Sequence, residues 1–333
     1  MRGILRFFGL LALLAILAAG FAAWRLLSPY KGFQQDTFLE LPHGAGTGGI
    51  AGRLAQAGVI RNRWDFLLAR LVERGRLLQA GEYRFQKADS VLDVYNRIAR
   101  GDIFYYTLVV PEGKNIFDVG AAAAALGLFD EHAFLEAARD PSLVRDIDPK
   151  APSLEGYLFP GTYKLSRHTT PQLLCQKMTA RFREIWRGLN AAANPHDTVT
   201  LASLVEKEAK LPEERPRIAA VFDNRLKLGM KLDCDPTTIY AAELEGRYRG
   251  KVHRSDLQSR NAYNTYQHAG LPPGPIANPG MDAVNAVLHP ADTDALYFVL
   301  RPDGSGGHEF SKDLAGHQKA VENYRRGLKK SIR

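Results

Sequence analysis

Phe7 to Trp24 is an unbroken run of 18 residues without charge, just long enough to cross a bilayer as a helix. It removes the start of the chain from any soluble fold. Arg2 and Arg6 precede it, so the positive-inside rule predicts a cytoplasmic N-terminus, residues 1–6, and export of everything after an anchor at 7–27. A cleaved signal peptide is the competing reading, because Ala18-Ala19-Gly20 and Phe21-Ala22-Ala23 supply small residues. The apolar run is longer than a usual signal core, which favours an uncleaved anchor.

The chain has 333 residues, room for two soluble modules beyond the anchor. Its net charge of +8 is spread thinly, with basic runs only at Arg325-Arg326 and Lys329-Lys330. Anionic lipid or an anionic envelope polymer accounts for that charge better than nucleic acid does, since an exported domain seldom meets the latter. The two cysteines, Cys175 and Cys234, make no disulfide framework; they are either one bridge or two buried thiols.

A partial repeat lies at an offset of 69 residues: Leu39-Glu-Leu-Pro-His-Gly44 matches Leu108-Val-Val-Pro-Glu-Gly113, each reading as strand, turn and helix. Trp64, Phe66, Leu67 and Leu71, then Val91, Val94 and Ile98, mark two helices, and Gly81 to Phe85 alternates like a strand. A small α+β module, either a spacer or a polymer binder, is expected here. Pro141, Pro149 and Pro152 announce a second domain, in which helices mix with short strands such as Leu296 to Leu300. The expected class is therefore α+β throughout.

Within that domain, Leu201, Leu204, Val205 and Glu208 follow the i, i+3, i+4, i+7 spacing of one helical face. A carboxyl drawn into an apolar stripe loses water, its pKa rises, and it becomes a proton donor near neutral pH. The competing account for Glu208 is a carboxylate held by a buried arginine or by backbone amides. Glu206 lies roughly 200° around the helix, and an exposed pair with Lys210 or a capping box begun by Ser203 is expected there. Glu155 stands beside Tyr157 in Leu154-Glu-Gly-Tyr-Leu-Phe-Pro160, Asp233-Cys-Asp-Pro-Thr-Thr238 reads as a polar turn, and Asn261-Ala-Tyr-Asn-Thr-Tyr266 runs into a Gly/Pro-rich loop ending at Gly280. Such clusters suit carbohydrate, which needs aromatic faces and polar groups for hydroxyls. Arg225 shares a helical stripe with Ile218, Val221 and Phe222; it is expected either to hold Glu208, Glu155 or Asp235 or to reach along the surface to water. His308 and His317 match no zinc spacing, and no Gly-x-Ser-x-Gly elbow or phosphate loop is present, so neither metal nor cofactor is expected.

These pieces, taken in order with Val221-Phe-Asp-Asn-Arg-Leu226, Gly270-Leu-Pro-Pro-Gly274, Leu296-Tyr-Phe-Val299 and His308-Glu-Phe310, resemble the YceG-like endolytic murein transglycosylases. The resemblance implies a single-pass inner-membrane protein with a LysM-like module at 36–106, a connecting region at 107–150 and a periplasmic catalytic domain at 151–328. It implies peptidoglycan glycan strands as substrate, penicillin-binding synthases as partners, and Glu208 as the catalytic acid. Candidates for holding that acid and the sugars are Glu155, Tyr157, Asn224, Arg225, Asp235, Thr237, Tyr263, Asn264, Thr265 and Tyr266. Gly161 departs from the family pattern, which carries Asp after Phe-Pro. Two other activities fit the residues: a muramidase using Glu155 or Asp235 as second carboxylate, and a non-catalytic peptidoglycan-binding scaffold.

Overall fold

The computed structural model describes residues 2–189 and 192–331. It is α+β, with an apolar N-terminal helix and three two-stranded sheets among its described residues. The chain divides into two compact units, residues 1–106 and 107–333.

Unit 1 begins with α1 (Arg2–Leu27), whose segment Ile4–Leu27 is apolar and long enough to cross a membrane. After it come β1 (Thr37–Leu41), α2 (Thr47–Gln56), α3 (Arg63–Val72), β2 (Gly81–Phe85) and α4 (Val91–Arg100). The two strands pair antiparallel with Thr37 opposite Phe85 and Leu41 opposite Gly81. Asn62 caps α3 through the amides of Trp64 and Asp65, and Ser90 caps α4 through that of Asp93. Leu41, Leu54, Phe66, Tyr83, Phe85, Tyr95 and Ile98 fill a single core, and Leu26 at the end of α1 is buried in it.

Unit 2 runs through β3 (Tyr106–Val110), α5 (Ile116–Ala124), α6 (Glu131–Arg139), β4 (Gly161–Leu165), α7 (Pro171–Gly188), α8 (Pro195–Glu208), α9 (Arg215–Lys227), α10 (Asp235–Leu244), α11 (Arg254–Leu257), α12 (Met281–Leu288), β5 (Tyr297–Leu300), β6 (His308–Ser311) and α13 (Leu314–Ser331). β3 pairs with β4, and β5 with β6 antiparallel. The partial repeat takes the form its sequence predicts: β1 with α2 and β3 with α5, each joined by a turn whose glycine, Gly44 or Gly113, is left-handed.

α8 is the central element of unit 2, packed against α9, α10 and α12. Residues 198–205 are all buried, so this helix is enclosed on every side and surfaces only at its ends. Its Leu201, Leu204 and Val205 join Ile218, Phe222, Leu232, Cys234 and Tyr240 in the main core. Glu208 therefore lies where the most buried helix of the unit comes up for air.

Candidate active site

Two carboxyls leave the last turn of α8, and their partners separate them. Arg215 donates to Glu206 Oε1 at 3.0 Å and the Gly280 amide to its Oε2 at 3.0 Å. The side chain is only 6% exposed, so the exposed position expected from sequence is wrong. The reason is local: α8 ends at Glu208 and Ala209 is extended, which takes Lys210 off the helix. Ser203 begins no capping box, because the helix starts at Pro195 and Ser203 is interior, donating to the Thr200 carbonyl and accepting from the Ile276 amide. Glu206 is thus a charge-compensated structural carboxylate.

Glu208 is half-buried, and its Oε1 accepts a hydrogen bond from Cys234 Sγ at 3.2 Å. A thiol is neutral and a weak donor, so it satisfies the oxygen without supplying a counter-charge. Burial pushes the Glu208 pKa up; the Cys234 hydrogen bond opposes it by less, and nearby Asp235 raises and His308 lowers it by less again. The carbonyl end of α8 carries a partial negative charge that works in the same direction as burial. Burial also drives the Cys234 thiol well up, with the neighbouring Glu208 carboxyl reinforcing it. Both partners therefore favour their protonated forms.

Glu208 opens into a cleft of about 430 Å³ shared with Phe222, Arg225, Leu232, Asp233, Cys234, Asp235, Tyr266, Tyr297, Phe298, Leu314 and His317. The segment expected to be a polar turn is instead the start of α10, with Asp235 as its first residue and Pro236 in its first turn. Tyr266 donates its hydroxyl to Asp235 Oδ1 at 2.7 Å. Asp233 takes a left-handed φ of 48°, a conformation aspartate tolerates better than most residues. Arg225 donates to the carbonyls of Leu296 at 2.6 Å and Leu232 at 2.8 Å, lies 3.7 Å from Asp233, and has its guanidinium over the Tyr297 ring. Neither expectation for Arg225 matches this: it does not run to the surface, and its N–H groups tie backbone segments rather than grip the acid. It makes a fixed cationic wall, since a planar guanidinium donates from its edge to carbonyls while its face stacks on a ring.

Other sequence-predicted residues stand behind the cleft. Thr237 donates to the Cys234 carbonyl at 2.7 Å, Thr265 Oγ1 accepts from the Cys234 amide at 3.0 Å, and the two hydroxyls meet at 2.9 Å. Together they fix the backbone that carries the thiol. Asn264 is buried, donating to the carbonyls of Asp256, Leu257 and Ser259 and accepting from the Tyr266 amide, which sets the turn presenting Tyr266. Asn224 donates to the carbonyls of Thr293 and Ala295, at the approach to β5. Tyr263 packs edge-on against Tyr240.

Glu155 and Tyr157 are not brought to the cleft. Glu155 is 0% exposed and accepts from the Ile116 amide at 2.9 Å and from Asn278 at 3.1 Å, closing the N-terminus of α5. Burial raises its pKa to about 8. Tyr157 is buried with its hydroxyl on Asp148. Both are framework residues.

Sequence reasoning placed Asp233 and Cys234 in a cluster suited to carbohydrate without singling them out, and missed Tyr297 and His317 as cleft residues. The available signal for Cys234 was its place directly before the Asp235-Pro-Thr motif. Cys175 and Cys234 are both free buried thiols, which resolves the choice between a bridge and two separate sulfurs. Among the described residues no group of three His, Cys, Asp or Glu side chains is placed to hold a metal ion.

The YceG-like family model matches residues 39–323, which includes the whole cleft. The chain belongs to the YceG-like family. It is 32% identical over 321 residues to a protein of Bacillus subtilis strain 168 named endolytic murein transglycosylase, covering 90% of this chain and 88% of that one. Proteins of the same name from two Streptococcus pneumoniae strains are 29% identical over 297 residues, covering 78% of this chain and 53% of theirs. The crystal structure of a yceG-like protein from Listeria monocytogenes superposes with a TM-score of 0.55 at 29% identity, covering 86% of this chain and 99% of that one. In this YceG-like chain Gly161 opens β4 and borders a separate open groove with Tyr163, Lys177 and Arg181, outside the residues that line the Glu208 cleft.

Proposed function

We propose that this protein is a membrane-anchored endolytic transglycosylase that cuts peptidoglycan glycan strands between N-acetylmuramic acid and N-acetylglucosamine. The observation that carries the reading is Glu208: a carboxyl whose pKa burial raises, held by a thiol rather than a cation, and opening into a cleft walled by Arg225, Asp235, Tyr266 and Tyr297. The names of the relatives supply the substrate class.

Glu208 protonates the glycosidic oxygen as the bond to muramyl C1 breaks. The resulting carboxylate then takes the proton of the muramyl C6 hydroxyl as that oxygen closes on C1, which leaves a 1,6-anhydromuramyl end and regenerates the acid. No water is consumed, so a single carboxyl suffices, whereas glycoside hydrolases use a pair. Arg225 and Tyr297 form a rigid wall for the sugars, and Tyr266 and Asp235 present hydroxyl and carboxylate at the rim. Unit 1, with two helices between its paired strands, supports the reading of a LysM-like glycan-binding module. α1 supports an inner-membrane anchor with the cleft on the periplasmic side, beside the penicillin-binding synthases that make the strands.

The test is mass spectrometry of muropeptides released from sacculi by the wild type and by Glu208→Gln. Anhydromuramyl ends, one water lighter than reducing ends, are expected from the wild type. Loss of the general acid is expected to lower their yield by about 10²–10⁴-fold with the fold unchanged by circular dichroism. Reducing ends would instead make the enzyme a hydrolase with Asp235 or Asp233 as second carboxylate, since Glu155 lies outside the cleft. Ends released equally by Glu208→Gln would remove Glu208 from the chemistry.

A further inference from the structure

We propose that α3 is a second membrane contact: its outward face lies in the headgroup layer of the leaflet from which α1 emerges, against phospholipids with anionic headgroups. This rests on the reading of α1 as a membrane anchor. The buried side of α3 is made by Asp65, Phe66 and Ala69. A soluble helix would turn polar residues outward on the opposite side. Here Trp64, Leu67 and Leu71 occupy that side at i, i+3 and i+7, with Trp64 68% and Leu71 77% exposed. Arg63 and Arg70, both exposed, flank the stripe.

The position of the helix fixes what covers this face. Arg25, the first charge after the apolar run, donates from Nε to Asp65 Oδ1 at 3.0 Å and from Nη2 to Oδ2 at 2.6 Å. Its neighbour Leu26 is buried in the core that also contains Phe66, and the Arg61 guanidinium lies over the rings of Trp24 and Tyr30. The first turn of α3 is therefore pinned to the point where α1 leaves the hydrocarbon. Tryptophan is favoured at that depth, and arginines there extend their charged ends to the headgroups. An outward apolar stripe edged by arginines is the pattern of a helix lying in the interface plane.

The test uses the full chain with Trp64 as its sole tryptophan, made by Trp24→Phe and Trp186→Phe, in vesicles of phosphatidylcholine and phosphatidylglycerol with brominated acyl chains. Trp64 emission is expected to shift to the blue and to lose most of its intensity relative to unbrominated vesicles. Leu71→Asp is expected to reverse both effects, and Arg63→Gln with Arg70→Gln to weaken the quenching, all with unchanged circular dichroism. Trp64 emission that stays red and unquenched, while a matching protein with only Trp24 is quenched, overturns the proposal and leaves the anchor standing. If Trp24 is unquenched as well, both the anchor and the interfacial helix fall.

Discussion

A sulfur stands where a stronger donor would work against the acid. Cys234 gives Glu208 one weak hydrogen bond; a hydroxyl at that place would stabilise the carboxylate more, and no donor at all would stabilise it less. In the proposed mechanism the active form is the protonated one, so cleavage is expected to decline as pH rises through the Glu208 pKa. Cys234→Ser is expected to move that decline to lower pH and Cys234→Ala to higher pH, read from kcat/KM profiles on glycan strands. Profiles that coincide with the wild type would deny the thiol any influence on the acid. Glu155 yields a stability prediction of its own. The folded chain holds its proton up to about 8, whereas the unfolded chain releases it near the ordinary value of 4.5. Its contribution is therefore complete below the unfolded value and is lost as pH climbs through about 8. Urea midpoints should fall across that window, and Glu155→Gln should flatten the slope. The position of Glu208 was legible because Leu201, Leu204 and Val205 mark its stripe. The contrast with Glu206 was not, because residues 198–205 are buried all round and the deciding partners, Arg215, Cys234 and Gly280, come from other segments that spacing cannot see.

At the scale of elements, one buried asparagine ties unit 2 together near the start of α5. Asn278 accepts from the amides of Gly156 and Leu158 and donates to the Lys114 carbonyl and to Glu155. Asn278→Ala leaves several buried groups without partners, and a loss of about 3 kcal/mol or more is expected in denaturant unfolding. Sequence identifies the loop containing Asn278 as rigid from its glycines and prolines, but gives no hint that its asparagine serves two distant segments, one at Lys114 and one at 155–158. Local elements were easier to see. The strand, turn and helix of the partial repeat follow from Gly44 and Gly113, whose left-handed turns end the strands, and the helix of Asn115 is started by a capping box with Asp118. The misread turn at Asp233 to Thr238 shows the opposite case. Proline after an acidic residue is also how helices begin, and α10 begins there.

Across the whole molecule, each unit has a core of its own. Phe66 is fully buried beside Tyr95 in unit 1, and Phe66→Ala is expected to cost about 3–5 kcal/mol. Calorimetry should show that loss in the transition of unit 1 and leave that of unit 2 in place; a drop shared equally by both would mean that the cores melt as one. The apolar helix and the small module were legible from hydropathy and periodicity, but Pro141, Pro149 and Pro152 point to a boundary beyond residue 140, whereas unit 2 starts at residue 107 and takes in the expected connecting region 107–150. The enclosure of α8 depends on packing that no single segment encodes. The state of the two sulfurs bears on how such a chain reaches its folded form. Burial holds the Cys175 thiol up at about 12 and Cys234 well above its ordinary value, so few thiolates exist at neutral pH to attack an oxidant or a neighbouring chain. In the folded chain the two sulfurs are not bonded to each other, so packing alone holds the structure closed, and urea midpoints should be the same with and without reductant.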